Sequence, residues 1–230
     1  GIRVEQLYPQ TLPDLFAGSQ LVLVGRYRDG GPADITLNGT VNGRSESTIY
    51  RDHLFRTSGG DDFIPRLWAT RAIGNLLTEI RLNGENPELV QSVVNLSIRY
   101  GIITPYTSYL IEEDDIFSQT ARDGIAEEEM EELSMEADAV SGAAAVDEAA
   151  ASADMAEAEA PMAAPMPMAT TMPGEGGAVG NAAPTQPIQF VGSKTFVLRD
   201  GVWIDTAYDA DTMTPQAVGF ASDAYFELVT

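Results

Sequence analysis

The chain has 230 residues, 44% of them hydrophobic, a formal charge of −22 at pH 7 and no cysteine. That length and apolar content support packed cores in one or two domains, while the missing cysteine excludes disulfides, thiolate metal sites, iron–sulfur clusters and cysteine nucleophiles. Lys194 is the single lysine, so the clustered cations that bind phosphate are lacking and nucleic acid is not an expected partner. No run of about 18 apolar residues offers a membrane span. The chain starts at Gly1 without methionine or signal peptide and reads as a piece of a longer polypeptide.

Three alternating, β-rich runs come first: residues 20–28 (QLVLVGRYR), 33–41 (ADITLNGTV) and 47–55 (STIYRDHLF). They are separated by Asp29-Gly30-Gly31 and Asn42-Gly43-Arg44. Asp-Gly and Asn-Gly tolerate the positive φ of two-residue hairpin turns, so an antiparallel meander is expected. Near Asp61 the period changes. Pro65 suits a first helical turn, Asp61 and Asp62 suit its positive end, and Leu67, Ala69, Ile73, Leu76, Leu77 and Ile80 follow helical spacing. A second helix is predicted with Asn86 as N-cap and Pro87 first, running through Leu89, Val90, Val93 and Leu96 to a stop at Gly101. Residues 102–111 then read as extended, with Pro105 limiting them to an edge or irregular strand.

Residues 112–187 hold 18 acidic side chains against the single basic Arg122, and no aromatic residue lies between Phe117 and Phe190. A stretch so rich in Ala, Met, Pro and acid is predicted to be a disordered linker, at most transiently helical between Ile125 and Ala160. Aromatics and alternation return at residues 189–198, the turn Arg199-Asp200-Gly201 and residues 202–205, and again at 224–229 (AYFELV). A hairpin plus one more strand is expected there. A module of that size without disulfides is near the limit for independent folding, so it is expected to dock elsewhere or to continue.

The fold class is therefore α+β, mainly β with two helices. Residues 1–111 form an antiparallel β-sandwich part with a helical pair, 112–187 an acidic Ala/Met/Pro-rich disordered linker, and 188–230 a small β-rich module.

No grouping of residues points to catalysis. His53 lies beside Asp52 in a strand pattern without a nucleophile motif, and no Gly-rich phosphate loop is present. Asp209 with Asp211, and the run Glu112, Glu113, Asp114 and Asp115, offer hard oxygen ligands but not the full loop of a calcium site. Neither metal nor cofactor is expected, nor any catalytic residue. Sequons occur at Asn38-Gly39-Thr40 and Asn95-Leu96-Ser97. The Met/Pro run of residues 161–173 lacks the basic residue of a polyproline ligand motif. Trp203, Tyr208 and Tyr225 are candidate contacts for carbohydrate or peptide, against a core-packing role for Trp203.

Three stretches carry a family resemblance together. Residues 15–26 (LFAGSQLVLVGR) resemble the LFxGSEhVhxG(K/R) block of inter-α-trypsin-inhibitor heavy chains, where h is apolar. Arg66-Leu67-Trp68-Ala69 resembles their RLWAY helix start, and residues 96–108 (LSIRYGIITPYTS) their LSLxYxhVTPLTS segment. Order and approximate spacing agree across residues 1–111. The resemblance implies a region that follows a VIT domain and a von Willebrand A domain and adds strands to a β-sandwich beside the A domain. It implies a noncatalytic, extracellular or cell-envelope adhesion-type protein that partners its own A domain, upstream strands and an extracellular protein or glycan. It also implies that this stretch alone leaves strand edges and an apolar face uncovered. The Asp-x-Ser-x-Ser metal motif of A domains and the Asp-Pro-His-Phe hyaluronan-attachment motif of heavy chains are both absent from these 230 residues.

Overall fold

The computed structural model describes residues 2–107, 116–137, 143–160 and 188–229. In chain order they form β1 (Arg3–Tyr8), β2 (Val24–Arg28), β3 (Gly31–Val41), β4 (Arg44–Phe55), α1 (Ile64–Asn83) and α2 (Pro87–Tyr100). A 3-10 turn (Pro105–Thr107), α3 (Gln119–Ala137), α4 (Ala143–Glu157), β5 (Ile188–Val191), β6 (Lys194–Arg199), β7 (Val202–Asp205) and α5 (Asp223–Val229) follow. The fold is mixed α+β with small antiparallel sheets, as the patterning implies.

The strands are not one meander. β1, which alternation did not reveal, pairs with β2, and among the described residues β3 pairs only with β4. The expected Asn42-Gly43 turn forms, with φ of +50° and +77°, and joins Val41 to Arg44. At the other break Gly30 lies against the end of β4. A side chain there would fall 2.6 Å from Thr57 Cγ2 and 2.8 Å from the Phe55 carbonyl oxygen. Glycine is thus used for a close backbone approach that carries the chain into a second sheet, and not for a hairpin tip.

The helical pair forms as spacing predicts. Pro65 sits in the first turn of α1, and Asn86 caps α2 by accepting the Glu88 N–H at 2.9 Å. Gly101, left-handed at φ +59°, closes α2 with the Ile102 N–H returning to the Ser97 carbonyl at 3.0 Å. Residues 105–107 form a 3-10 turn in place of an edge strand. The Thr107 hydroxyl takes the Thr104 N–H at 3.1 Å, curling the backbone so that Tyr106 and Thr107 are buried. Residues 108–111 lie outside the described residues.

The acidic stretch departs most from expectation. Most of its described residues are helical and packed: α3 lies on α2 and α4 lies on α1. Ile116, Phe117, Ile125, Ala126 and Met155 join the core, while residues 112–115, 138–142 and 161–187 lie outside the description. The reason is close approach at small residues. Gly74 on α1 lets the backbone of Met155 and Ala156 come so near that a Cβ would sit 2.3 Å from the Ala156 nitrogen. Such packing leaves no broad apolar stripe in the sequence.

The C-terminal strands form the sheet β5-β6-β7 and dock on the helices. Ile188 and Val197 enter the common core, and the Thr206 hydroxyl donates to the Arg99 carbonyl at 2.7 Å. Residues 224–229 are helical, not a strand. The Ser222 hydroxyl accepts the Tyr225 N–H at 3.2 Å, an N-cap that overrides the β preference of Tyr225 and Phe226.

Candidate interaction surface

The three family-like stretches meet at α1. Arg71 is almost wholly buried and donates to three carbonyls from separate parts of the chain. These are Val22 at 2.6 Å, Ala158 at 2.7 Å and Tyr8 at 3.3 Å. Burial lowers its pKa, opposed in part by the charges of Glu159 and Glu157. Trp68 donates to the Gln6 carbonyl at 3.0 Å, lies edge-on to Tyr100 and has the Arg26 guanidinium 5.3 Å from its ring. Arg66 stacks on Phe190 at 3.8 Å. Ser97, Thr104 and Thr107 share a buried hydroxyl network. Most of these residues therefore fasten elements together; Leu15 and Phe16, by contrast, stand exposed on a turn held by the Ser19 hydroxyl.

What lies open is the ribbon of β3 and β4. The two strands pack on each other and only marginally on any other element. The ribbon is anchored at its base, where Tyr27 meets Phe55 edge-on at 5.0 Å and donates to the Arg56 carbonyl at 2.5 Å. Residues opposite one another share a face. Ile35 opposite Tyr50, Leu37 opposite Thr48, Gly39 opposite Glu46 and Val41 opposite Arg44 share one face, which gathers Ile35, Leu37, Val41 and Tyr50 beside the charged Glu46 and Arg44. Thr36, Asn38, Thr40, Ser45 and Ser47, with Ile49, line the other. On the first face Ile35 keeps 44%, Tyr50 48% and Val41 50% of its surface exposed. Asp34 accepts the Asp52 N–H at 2.9 Å and pairs with Arg51, holding a bulge beside His53.

Trp203, Tyr208 and Tyr225 are not gathered into one site. Trp203 lies on β7 opposite Leu198, a little over one third exposed, and Tyr208 packs on Phe117. Tyr225, half-buried, stacks between the exposed Phe220 and Phe226, two neighbours that the strand reading of 224–229 did not bring to it. Asp209 accepts from the Thr212 hydroxyl and the Asp211 N–H; these bonds lower its pKa. Asp211 accepts the Gln119 N–H at 3.0 Å at the start of α3. The pair serves as turn and helix cap. Among the described residues no group of three or more His, Asp or Glu could hold a metal, and Glu112 to Asp115 and the Met/Pro run lie outside them. Asn38 is exposed on the polar ribbon face, whereas Ser97 of the other sequon is fully buried. No helix among the described residues is long and apolar enough to cross a membrane.

No family model matches the chain, and no solved structure matches it. It is similar to inter-alpha-trypsin inhibitor heavy chain H4 of Homo sapiens, 29% identical over 154 residues that take in 61% of this chain and 16% of that protein. It is also similar to the heavy chain H4 of Bos taurus, 29% identical over 144 residues, 57% of this chain and 15% of that protein. The relationship is distant, and the chain spans about one sixth of the length of these curated relatives.

Proposed function

We propose that this chain is a noncatalytic interaction region of a longer secreted or cell-envelope protein of the VIT and von Willebrand A type. In this reading the helical core holds the β3–β4 ribbon out to brace an A domain and its upstream strands. One observation carries the reading: a long ribbon with a partly apolar face that no other element among the described residues covers to more than a marginal extent. The extracellular setting is taken from the likeness to heavy chains, whose length leaves ample chain to supply the cover.

Magnitude favours a partner in the same polypeptide. Covering the remaining half of Ile35, Tyr50 and Val41 gives about 1 kcal/mol each, or about 3 kcal/mol in all. That corresponds to only millimolar affinity between separate molecules, but it suffices when a tether supplies a millimolar effective concentration. Exchanging Ile35 and Tyr50 for serine tests this. The helical core should keep its stability, while docking to an A domain carried ahead of the chain is lost; unchanged docking would refute the assignment.

The cluster of exposed Phe220 and Phe226 about the half-buried Tyr225 favours a second reading, in which the C-terminal module contacts a glycan or peptide through its aromatic faces. Tyr225→Ala should then abolish binding in a glycan or peptide screen, and a screen without any hit removes this reading.

A further inference from the structure

The sequence contains Asn-Gly steps at Asn38-Gly39, Asn42-Gly43 and Asn83-Gly84, and the structure treats them differently. In such a step the backbone nitrogen of glycine can attack the asparagine Cγ, since no Cβ on the following residue obstructs the approach. The amide nitrogen leaves as ammonia, taking up the proton of the glycine N–H, and a succinimide ring remains. Water opens the ring at either carbonyl, giving aspartate or isoaspartate.

Reaction requires freedom of the asparagine backbone and a glycine nitrogen not held elsewhere. Gly84 lacks the second, since its N–H donates to the Ile80 carbonyl at 2.8 Å at the end of α1. Asn38 and Gly39 lack the first, because they lie within the ladder opposite Ser47 and Glu46. Asn42 and Gly43 are the two turn residues between Val41 and Arg44, both exposed, and a Cβ at Gly43 would meet nothing within 4 Å. Among the described residues the Asn42 amide has no hydrogen-bond partner. The tip belongs to a ribbon that rests on little besides itself, the condition under which local opening is cheapest.

We propose that Asn42 is a built-in modification site, converting spontaneously to a mixture of isoaspartate and aspartate far ahead of the other Asn-Gly steps. Isoaspartate adds a backbone atom to a two-residue turn and a negative charge beside Arg44, so the pairing of Val41 with Arg44 loosens as the protein ages. The inference concerns the ribbon as it stands in this chain and does not rest on the proposed docking.

Peptide mapping by mass spectrometry with enzymatic isoaspartate labelling tests this on the whole chain incubated at neutral to mildly alkaline pH. Asn42 should convert about tenfold or more faster than Asn38 and Asn83, in keeping with the lower cost of local opening at the tip. In denaturant the three rates should converge. Gly43→Ala should slow conversion at residue 42 and leave Asn38 and Asn83 unchanged. Equal rates in the folded chain, or a preference for Asn42 that persists in denaturant, would overturn the proposal.

Discussion

Replacing Gly74 with alanine sets two effects of opposite sign against each other. In a helix interior alanine is favoured over glycine by about 1 kcal/mol. Against this, the new Cβ would lie 2.3 Å from the Ala156 nitrogen and 2.8 Å from both the carbonyl carbon and Cβ of Met155. Two of these three atoms are backbone, so relief requires α4 to shift as a body. Overpacking of this kind costs about 1–3 kcal/mol, and the shift also stretches the bond from Arg71 to the Ala158 carbonyl. A net loss of up to about 2 kcal/mol is expected from these two terms. Equilibrium urea unfolding measures it, and hydrogen exchange places it in residues 143–157. Stabilisation by the variant, toward the full 1 kcal/mol of propensity, would show that nothing presses on Gly74 and would refute the packing of α4 on α1.

Arg71→Ala removes a buried cation that satisfies three carbonyls and should cost about 3 kcal/mol or more. Arg71→Lys should restore only part of this, because a single ammonium cannot reproduce the guanidinium fork; both are read from the urea midpoint. Burial alone would raise the pKa of Asp205, but bonds from Lys194 at 2.7 Å and the Ala207 N–H at 2.9 Å outweigh it and leave the pKa lowered. Its contribution is therefore present above the ordinary carboxylate range and is lost as pH falls through the lowered value, a slope that Asp205→Asn should flatten in unfolding measured across acid pH. Tryptophan emission should separate the two indoles. In Trp203→Phe the remaining Trp68, 5% exposed, should be blue-shifted and resist acrylamide, whereas Trp68→Phe should leave a quenchable signal from Trp203.

The helical pair was legible because its signals are local. Pro65, the Asn86-Pro87 start and the Gly101 stop each specify backbone geometry without help from distant residues. The hairpin turn at Asn42-Gly43 was legible for the same reason. The strand order was not, since Gly30 carries the same turn signal whether it tips a hairpin or slips past Thr57. The seating of α3 and α4 was hidden by composition. The segment of α4 is seated by Met155, by Gly74 and by a long-range bond from Arg71, and α3 by little more than Ile125 and Ala126, too few apolar positions to make a sustained hydrophobic period. The helix at 223–229 was missed because Tyr225 and Phe226 outweighed the modest cap signal of Ser222. For the interaction surface, alternation in 33–41 and 47–55 was visible, but the pairing that gathers Ile35, Leu37, Val41 and Tyr50 on one face depends on register set by the turn. The exposure of that face emerges only from what fails to cover it.

The most direct measurement of the proposed role is amide hydrogen exchange across residues 31–55, in this chain alone and in a polypeptide that carries an A domain and its preceding strands ahead of it. The bracing role predicts fast exchange at the outward-facing amides of β3 and β4 in the chain alone, and at least about tenfold slowing in the longer polypeptide, with α1 and α2 unchanged. Exchange across the ribbon that is identical in the two would contradict it.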